Sequence, residues 1–128
     1  MNNAEALKWY YKAAEQGVAE AQFILGLDYK RGEGGVKKDF AKGVEWYRKA
    51  AEQGHMYALY NLAVSYEYGE GVPKDKETAI KLYQKAAEQG CTDAEKDVKR
   101  LEGGGLGSAV AASAALGGAG LLWKILRG

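Results

Sequence analysis

Lys-Ala-Ala-Glu-Gln-Gly stands at residues 12–17, again at 49–54 and again at 85–90. The copies are 37 and 36 residues apart, and the first hundred residues fall into register around them. A fixed period of that size marks a tandem array of supersecondary units, each too small to bury its own apolar face alone. Leu7, Tyr10, Ala14 and Gly17 precede or share the first copy at steps of 3, 4 and 3, one face of an α-helix, with Trp9 and Ala13 widening it. Gly17 then predicts a left-handed helix end, a conformation that side chains with a Cβ avoid.

Working outward, Asn2 followed by Glu5 predicts the first helix start. A second helix carries Ala21, Leu25 and Tyr29 at steps of four and stops at Gly32. The loop 32–39 follows, with Asp39 as the expected cap of the next helix. The second unit repeats the first: Val44, Trp46, Tyr47, Ala50, Ala51 and Gly54, then Ala58, Leu62, Tyr66, Gly69 and Gly71. Its loop, 69–75, is one residue shorter, which accounts for the change in spacing. The third unit keeps Ile80, Leu82, Tyr83, Ala86, Ala87 and Gly90. Its last helix is expected to open with a Thr92 and Glu95 capping pair and to hold a narrow stripe of Ala94, Val98 and Leu101. Lys96, Asp97, Lys99 and Arg100 surround that stripe, and a polar outer face is what the end of a stack requires.

The expected architecture is all-α: a solenoid of three helix pairs over residues 1–102, with repeats at about 3–39, 40–75 and 76–101, then a Gly/Ala-rich tail at 103–128. The chain of 128 residues is 47% hydrophobic, enough for one shared core. Its 18 glycines, against one proline, sit at unit boundaries and in the tail, as punctuation.

The pattern Ala-x-x-Trp-Tyr-x-x-Ala-Ala-x-x-Gly, then Ala-x-x-x-Leu-Gly-x-x-Tyr-x-x-Gly-x-Gly-Val-x-x-Asp, resembles the Sel-one-like repeat (SLR), a relative of the tetratricopeptide repeat. The resemblance covers residues 4–101 and departs at Ala63 (Gly26 in the first unit), at Leu82 in place of tryptophan, and in the final helix. It implies a right-handed superhelix of helix pairs and an adaptor role in assembling protein complexes, often at membranes or in bacterial signalling and host contact. Cysteine-rich bacterial members are linked to β-lactam binding or hydrolysis, and their paired cysteines are absent from this chain, which has one cysteine.

Three copies in one chain also separate scaffold from function. Positions that recur serve the stack, and positions that differ are free for a partner. Off the apolar stripe of the first helices lie Lys8, Tyr11, Lys12 and Glu15; then Glu45, Arg48, Lys49 and Glu52; then Lys81, Gln84, Lys85 and Glu88. In the SLR resemblance the first helices line the concave groove, so these are the candidate contact positions for a protein or peptide. Only the slots of Lys8 and Tyr11 change character between copies, and Tyr11 and Arg48 are residue types favoured at binding hot spots. The competing reading is a solvated face laced by local Glu–Lys pairs. The alternative for the whole chain is a structural piece of a longer array, with no binding site of its own.

Other chemistries find no support. Net charge is +1, and Lys124 and Arg127 lie in the tail, leaving 16 bases against 17 acids in the repeats, so no nucleic-acid partner is expected. His55 and Cys91 share one slot in successive units, with Val18 in the first, and helix spacings of about 8–10 Å would keep them apart. They read as variable turn residues, with no metal or other cofactor expected. Gly32-Glu33-Gly34-Gly35 and Gly69-Glu70-Gly71 lack the Lys-Ser/Thr and preceding strand of a phosphate loop. No carboxylate pair or nucleophile is placed for catalysis, Ser108 and Ser113 included, so no enzyme is expected.

The tail presents three readings. Leu106–Leu126 contains Lys124 as its one charge and as a helix would reach about 32 Å, against a hydrocarbon core of about 30 Å. Gly103, Gly107, Ala111, Ala115 and Ala119 add a small-residue stripe, and Trp123, Lys124 and Arg127 resemble interfacial anchors. Four glycines and two serines within 106–126 oppose insertion. Membrane association through residues 106–126, a cap over the last repeat, and a tether therefore all remain open. No signal peptide is visible, and a cytoplasmic or membrane-associated location is expected.

Overall fold

The computed structural model describes residues 2–103. They form six helices: α1 (Asn3–Glu15), α2 (Ala19–Arg31), α3 (Phe40–Glu52), α4 (Met56–Tyr68), α5 (Lys76–Glu88) and α6 (Thr92–Glu102). Among the described residues there is no strand, and consecutive helices pack in order as an all-α solenoid of helix pairs.

The hexapeptide builds the turn inside each pair. Gly17, Gly54 and Gly90 all have positive φ, at 93°, 81° and 99°. The glycine N–H donates to Ala14, Ala51 or Ala87, and the next N–H donates to Ala13, Ala50 or Ala86. Two carbonyls left over by the helix end are thereby satisfied three times in the same way, a Schellman motif. The glutamine of the hexapeptide does something the pattern alone did not reveal. Gln53 Nε2 donates to the Gly17 carbonyl at 2.9 Å, and Gln89 Nε2 to the Gly54 carbonyl at 2.7 Å. Each turn is stitched to the turn of the preceding repeat, each bond contributing about 0.5–1.5 kcal/mol.

The longer loops also recur. Asn2, Asp39 and Asp75 cap α1, α3 and α5, accepting from the backbone N–H three residues on. The N–H groups of Asp39 and Asp75 donate to Tyr29 and Tyr66 in the preceding helix, which ties each loop down. Such caps contribute about 1 kcal/mol each.

Between repeats, the second helix of one packs on the first helix of the next. Val44, Tyr47 and Leu62 form one core cluster with Phe23 and Leu27 around it. Leu59, Ala63, Ala79, Tyr83, Ala86, Cys91 and Ala94 form another. Ala14, Ala21 and Leu25 join Leu7 and Tyr10 in a third. Gly26 explains the first departure from the repeat pattern. A methyl on Gly26 would overlap the Tyr47 ring, and one on Gly43 would meet the Gly26 carbonyl. At the next junction Ala63 and Ala79 replace the two glycines, and Tyr83 instead sends its hydroxyl to Glu67 at 2.8 Å. Tyr47 Oη is buried with no hydrogen-bond partner among the described residues.

Three expectations need correction. Trp9, read as widening the apolar stripe of α1, is 59% exposed; its counterpart Trp46 instead packs on Tyr11 of the preceding repeat. The α6 N-cap is Cys91, without a side-chain capping bond, and Thr92 is already helical, so the Thr92–Glu95 pair does not cap. Nor is α6 polar only toward water. Lys96 and Lys99 are exposed, but Asp97 and Arg100 reach back toward α4.

We expect Gly26→Ala to lower stability by a net amount of about 1–2 kcal/mol, since overlap with Tyr47 outweighs the helix propensity gained. Chemical denaturation followed by circular dichroism measures it; a neutral or stabilising result would mean that α2 and α3 are not so closely packed.

Candidate functional site

The twelve first-helix positions fall along α1, α3 and α5, and ten are exposed; Tyr11 and Gln84 are half-buried. Glu45, Arg48, Lys49 and Glu52 line a shallow open depression on α3. The expected local Glu–Lys pairs do not form: among the described residues, none of the twelve makes an ion pair. Two of the lysines lie over aromatic rings instead, Lys12 at 5.5 Å from the Trp9 centroid and Lys49 at 4.9 Å from that of Trp46. A cation over an exposed ring contributes about 0.5–1 kcal/mol and holds the ammonium without neutralising it.

The slot that varies most is also the most firmly held. Tyr11 Oη hydrogen-bonds Tyr29 Oη, and its ring packs edge-on against Trp46 of the next repeat at 5.9 Å. Arg48 Nη2 donates to Tyr66 Oη at 2.8 Å. Both pairs are 18 residues apart, from the first helix of a repeat to the tyrosine of its second. Residue 102, the matching position for Gln84, is Glu102, so the third repeat lacks this support. Tyr29, Tyr66 and Trp46 thus belong to the face as positioning groups. Their recurrence had marked them only as core residues. The signal that would have found them is the constant offset to the variable slot.

His55 and Cys91 are put to separate uses. The imidazole of His55 caps α4, its Nδ1 accepting from the Ala58 N–H at 3.2 Å. Its Nε2 lies 2.7 Å from Glu20 Oε2, and its ring stacks on Phe23 at 4.8 Å. With Nδ1 accepting, the proton sits on Nε2, which donates to the carboxylate. Cys91 is a free thiol buried in the third-repeat core. Among the described residues no group of three or more His, Cys, Asp or Glu could hold a metal ion.

The strongest electrostatics lie away from this face, at the last junction. Arg100 donates twice to Glu67, at 2.7 and 2.8 Å, and also to Asp97. Tyr83 donates to Glu67 and Tyr60 to Asp97. The Arg100 guanidinium holds the Glu67 carboxyl below its usual range, with Tyr83 assisting, while burial opposes both. Burial pushes the Tyr60 and Tyr83 phenols up, and their carboxylate partners add to it. Perturbed groups attract suspicion of catalysis. Here every polar group is spent on another, and the arrangement fastens α6.

The tail readings at 106–126 fall outside the described residues. Among the described residues, no helix is long and apolar enough to cross a membrane.

The fold and face define a class, a helix-pair repeat solenoid with a partly polar, aromatic-backed flank. The Sel1 repeat profile matches residues 2–18, 19–55 and 57–91, and the chain belongs to the Sel1 repeat family. The family frame starts its units at α2 and α4, half a repeat away from the frame counted from α1. Among solved structures, a protective antigen of uropathogenic Escherichia coli with an SLR fold is similar at 40% identity and a TM-score of 0.78. The match covers 83% of this chain and 22% of that one. A Sel1 repeat protein from Oxalobacter formigenes is 42% identical at a TM-score of 0.77, over 83% of this chain and 43% of that one. Cysteine-rich protein B of Helicobacter pylori is 30% identical at a TM-score of 0.70, over 73% of this chain and 70% of that one. The chain therefore spans less than half the length of the first two. No curated protein matches it.

Arg100→Ala should leave Glu67 buried beside Tyr83 alone and cost roughly 2 kcal/mol at neutral pH, less than for a fully buried pair because Arg100 is half exposed. Glu67's folded pKa lies below its ordinary 4.5, so its contribution is complete above that value and is lost as pH falls through the folded pKa. The stability gap between wild type and Arg100→Ala should narrow below pH 4.5 in denaturation at stepped pH; a gap constant into acid would show that Glu67 is not its source.

Proposed function

We propose that the chain is a non-enzymatic scaffold that holds a protein or peptide partner against its first-helix face, the concave side in the resemblance drawn above. Sel1 repeat proteins generally act as protein-interaction scaffolds, and the family membership carries that much. The observation supporting this particular face is the treatment of the variable slot. Tyr11 and Arg48 differ from each other, yet each is anchored by a tyrosine that the first two repeats share. An anchored side chain loses little rotamer freedom on binding, which is what a contact residue of high yield requires.

The chemistry offered is mixed. Trp46 and Tyr11 supply flat apolar area beside cations at Arg48 and Lys49 and carboxylates at Glu45 and Glu52, none in an ion pair among the described residues. Such a strip suits a segment carrying an apolar side chain between charges of both signs. Lys81, Lys85 and Glu88 would extend it along α5, where Gln84 lacks the tyrosine support.

A partner captured on the full chain and identified by mass spectrometry allows a direct test. Tyr11→Ala and Arg48→Glu should each weaken its binding about ten-fold or more in titration calorimetry, with helicity unchanged. Undiminished affinity in both variants would place the partner on another surface.

A further inference from the structure

The second helices present a surface of their own. On α4, Tyr57, Asn61, Val64 and Tyr68 stand at steps of 4, 3 and 4, one stripe of the helix. Tyr57 is 55% and Tyr68 60% exposed, with Asn61 and Val64 half-buried between them. The one charged residue of α4, Glu67, is buried and bonded to Arg100, so the stripe carries no charge. Phe23 of α2 lies against the Tyr57 ring at 6.2 Å. Ile24 and Leu27, both half-buried, continue the apolar field along α2 in register with Asn61 and Val64.

Stacking does not demand an uncharged stripe. In the same register α6 carries Asp93, Asp97 and Arg100 where α4 has Tyr57, Asn61 and Val64. On α2, Glu20 and Arg31 take the slots of Tyr57 and Tyr68. Tyrosine at both slots is therefore particular to α4, and exposed tyrosine is a residue type on which interfaces concentrate. Charges border the apolar field and do not interrupt it. Glu20 stands at the turn end, its Oε2 held by His55 Nε2 at 2.7 Å while its side chain stays 67% exposed. Arg31 stands at the loop end, 59% exposed, and a 3.9 Å pair with exposed Glu33 restrains it little.

We propose that this flank docks an amphipathic helix of a partner protein, laid antiparallel to α2 and α4. Tyr57 and Tyr68 are three turns apart, about 16 Å, so the partner helix needs about 11–14 residues with apolar side chains at i, i+4, i+7 and i+11. Its direction follows from charge. Glu20 and exposed Asp93 favour bases at the turn end, and Arg31 favours acids at the loop end. A helix is itself stabilised by acids in its first turn and bases in its last. The two requirements agree when the partner's N-terminus lies at Arg31, opposite to the run of α2 and α4. Among the described residues no strand offers an edge to an extended partner. An anionic lipid surface would meet carboxylates at this border in place of the bases it attracts.

A phage-displayed library of amphipathic helices of roughly 16 residues, panned against the full chain, tests this. Selected peptides are then synthesised and titrated by fluorescence anisotropy. Enriched peptides should carry the apolar spacing above, with acids in the first turn and bases in the last. Tyr57→Lys and Tyr68→Lys, both at mostly exposed sites, should each raise the dissociation constant about ten-fold or more. Arg48→Glu on the first-helix face should leave it unchanged, which separates this surface from the one proposed above. The double variant Glu20→Lys with Arg31→Glu should enrich peptides of the opposite charge order. No enrichment, binding indifferent to both tyrosine substitutions, or the same charge order for wild type and double variant would overturn the proposal. So would flotation with phosphatidylcholine vesicles that Tyr57→Lys and Tyr68→Lys abolish, which would assign the stripe to a lipid surface.

Discussion

The close approach of each second helix to the first helix of the next repeat is the contact on which the stack depends. At the first junction it is made by two glycines, Gly26 and Gly43, with the Tyr47 ring laid where a methyl would stand. At the second, two alanines make it, and the tyrosine is turned to a carboxylate. Helices brought this near share side chains across the boundary, so no repeat has a core of its own. Glutamine bonds between successive turns then fix the register that the small residues permit. The family profile divides the chain at the same places, treating α2 with α3 and α4 with α5 as units.

Much of this was legible in the residues. The hexapeptide predicted three helix pairs, and Asn2 and Asp39 were readable as caps, because a cap is a local event with a local signature. The Gly26 and Ala63 difference was visible, but its meaning depends on a tyrosine 21 residues from Gly26, at a distance no periodicity encodes. Arg100 shows the same limit. On a helical wheel it belongs to a charged outer face, yet it reaches a buried glutamate 33 residues earlier. Trp9 shows a third limit: its counterpart Trp46 packs on Tyr11 of the preceding repeat while Trp9 stays exposed, and recurrence in sequence does not guarantee recurrence of a neighbour.

For the candidate face, the sequence singled out the variable slots of Lys8 and Tyr11, and the structure shows what stands behind the second. Tyr29 and Tyr66 belong to the repeat pattern, whereas Tyr11 and Arg48 do not, and the constant members hold the changing ones. The hexapeptide, the most repeated feature of the chain, takes the opposite role. Its alanine carbonyls and glycine end the helix, its glutamine in the second and third repeats stitches turns together, and its lysine in the first two lies over a tryptophan. On the proposed reading, scaffold and recognition are divided by position within one repeat, and not between separate regions.

That division can be measured at every backbone amide at once. Two-dimensional NMR of the full chain, titrated with a captured partner, reports which residues change environment. The account predicts the largest shifts at Tyr11, Arg48 and their exposed neighbours on α1 and α3, with Gly17, Gly54 and Gly90 and the stitched turns unmoved. Shifts concentrated on the turns, or on the second helices with α1 and α3 silent, would contradict it.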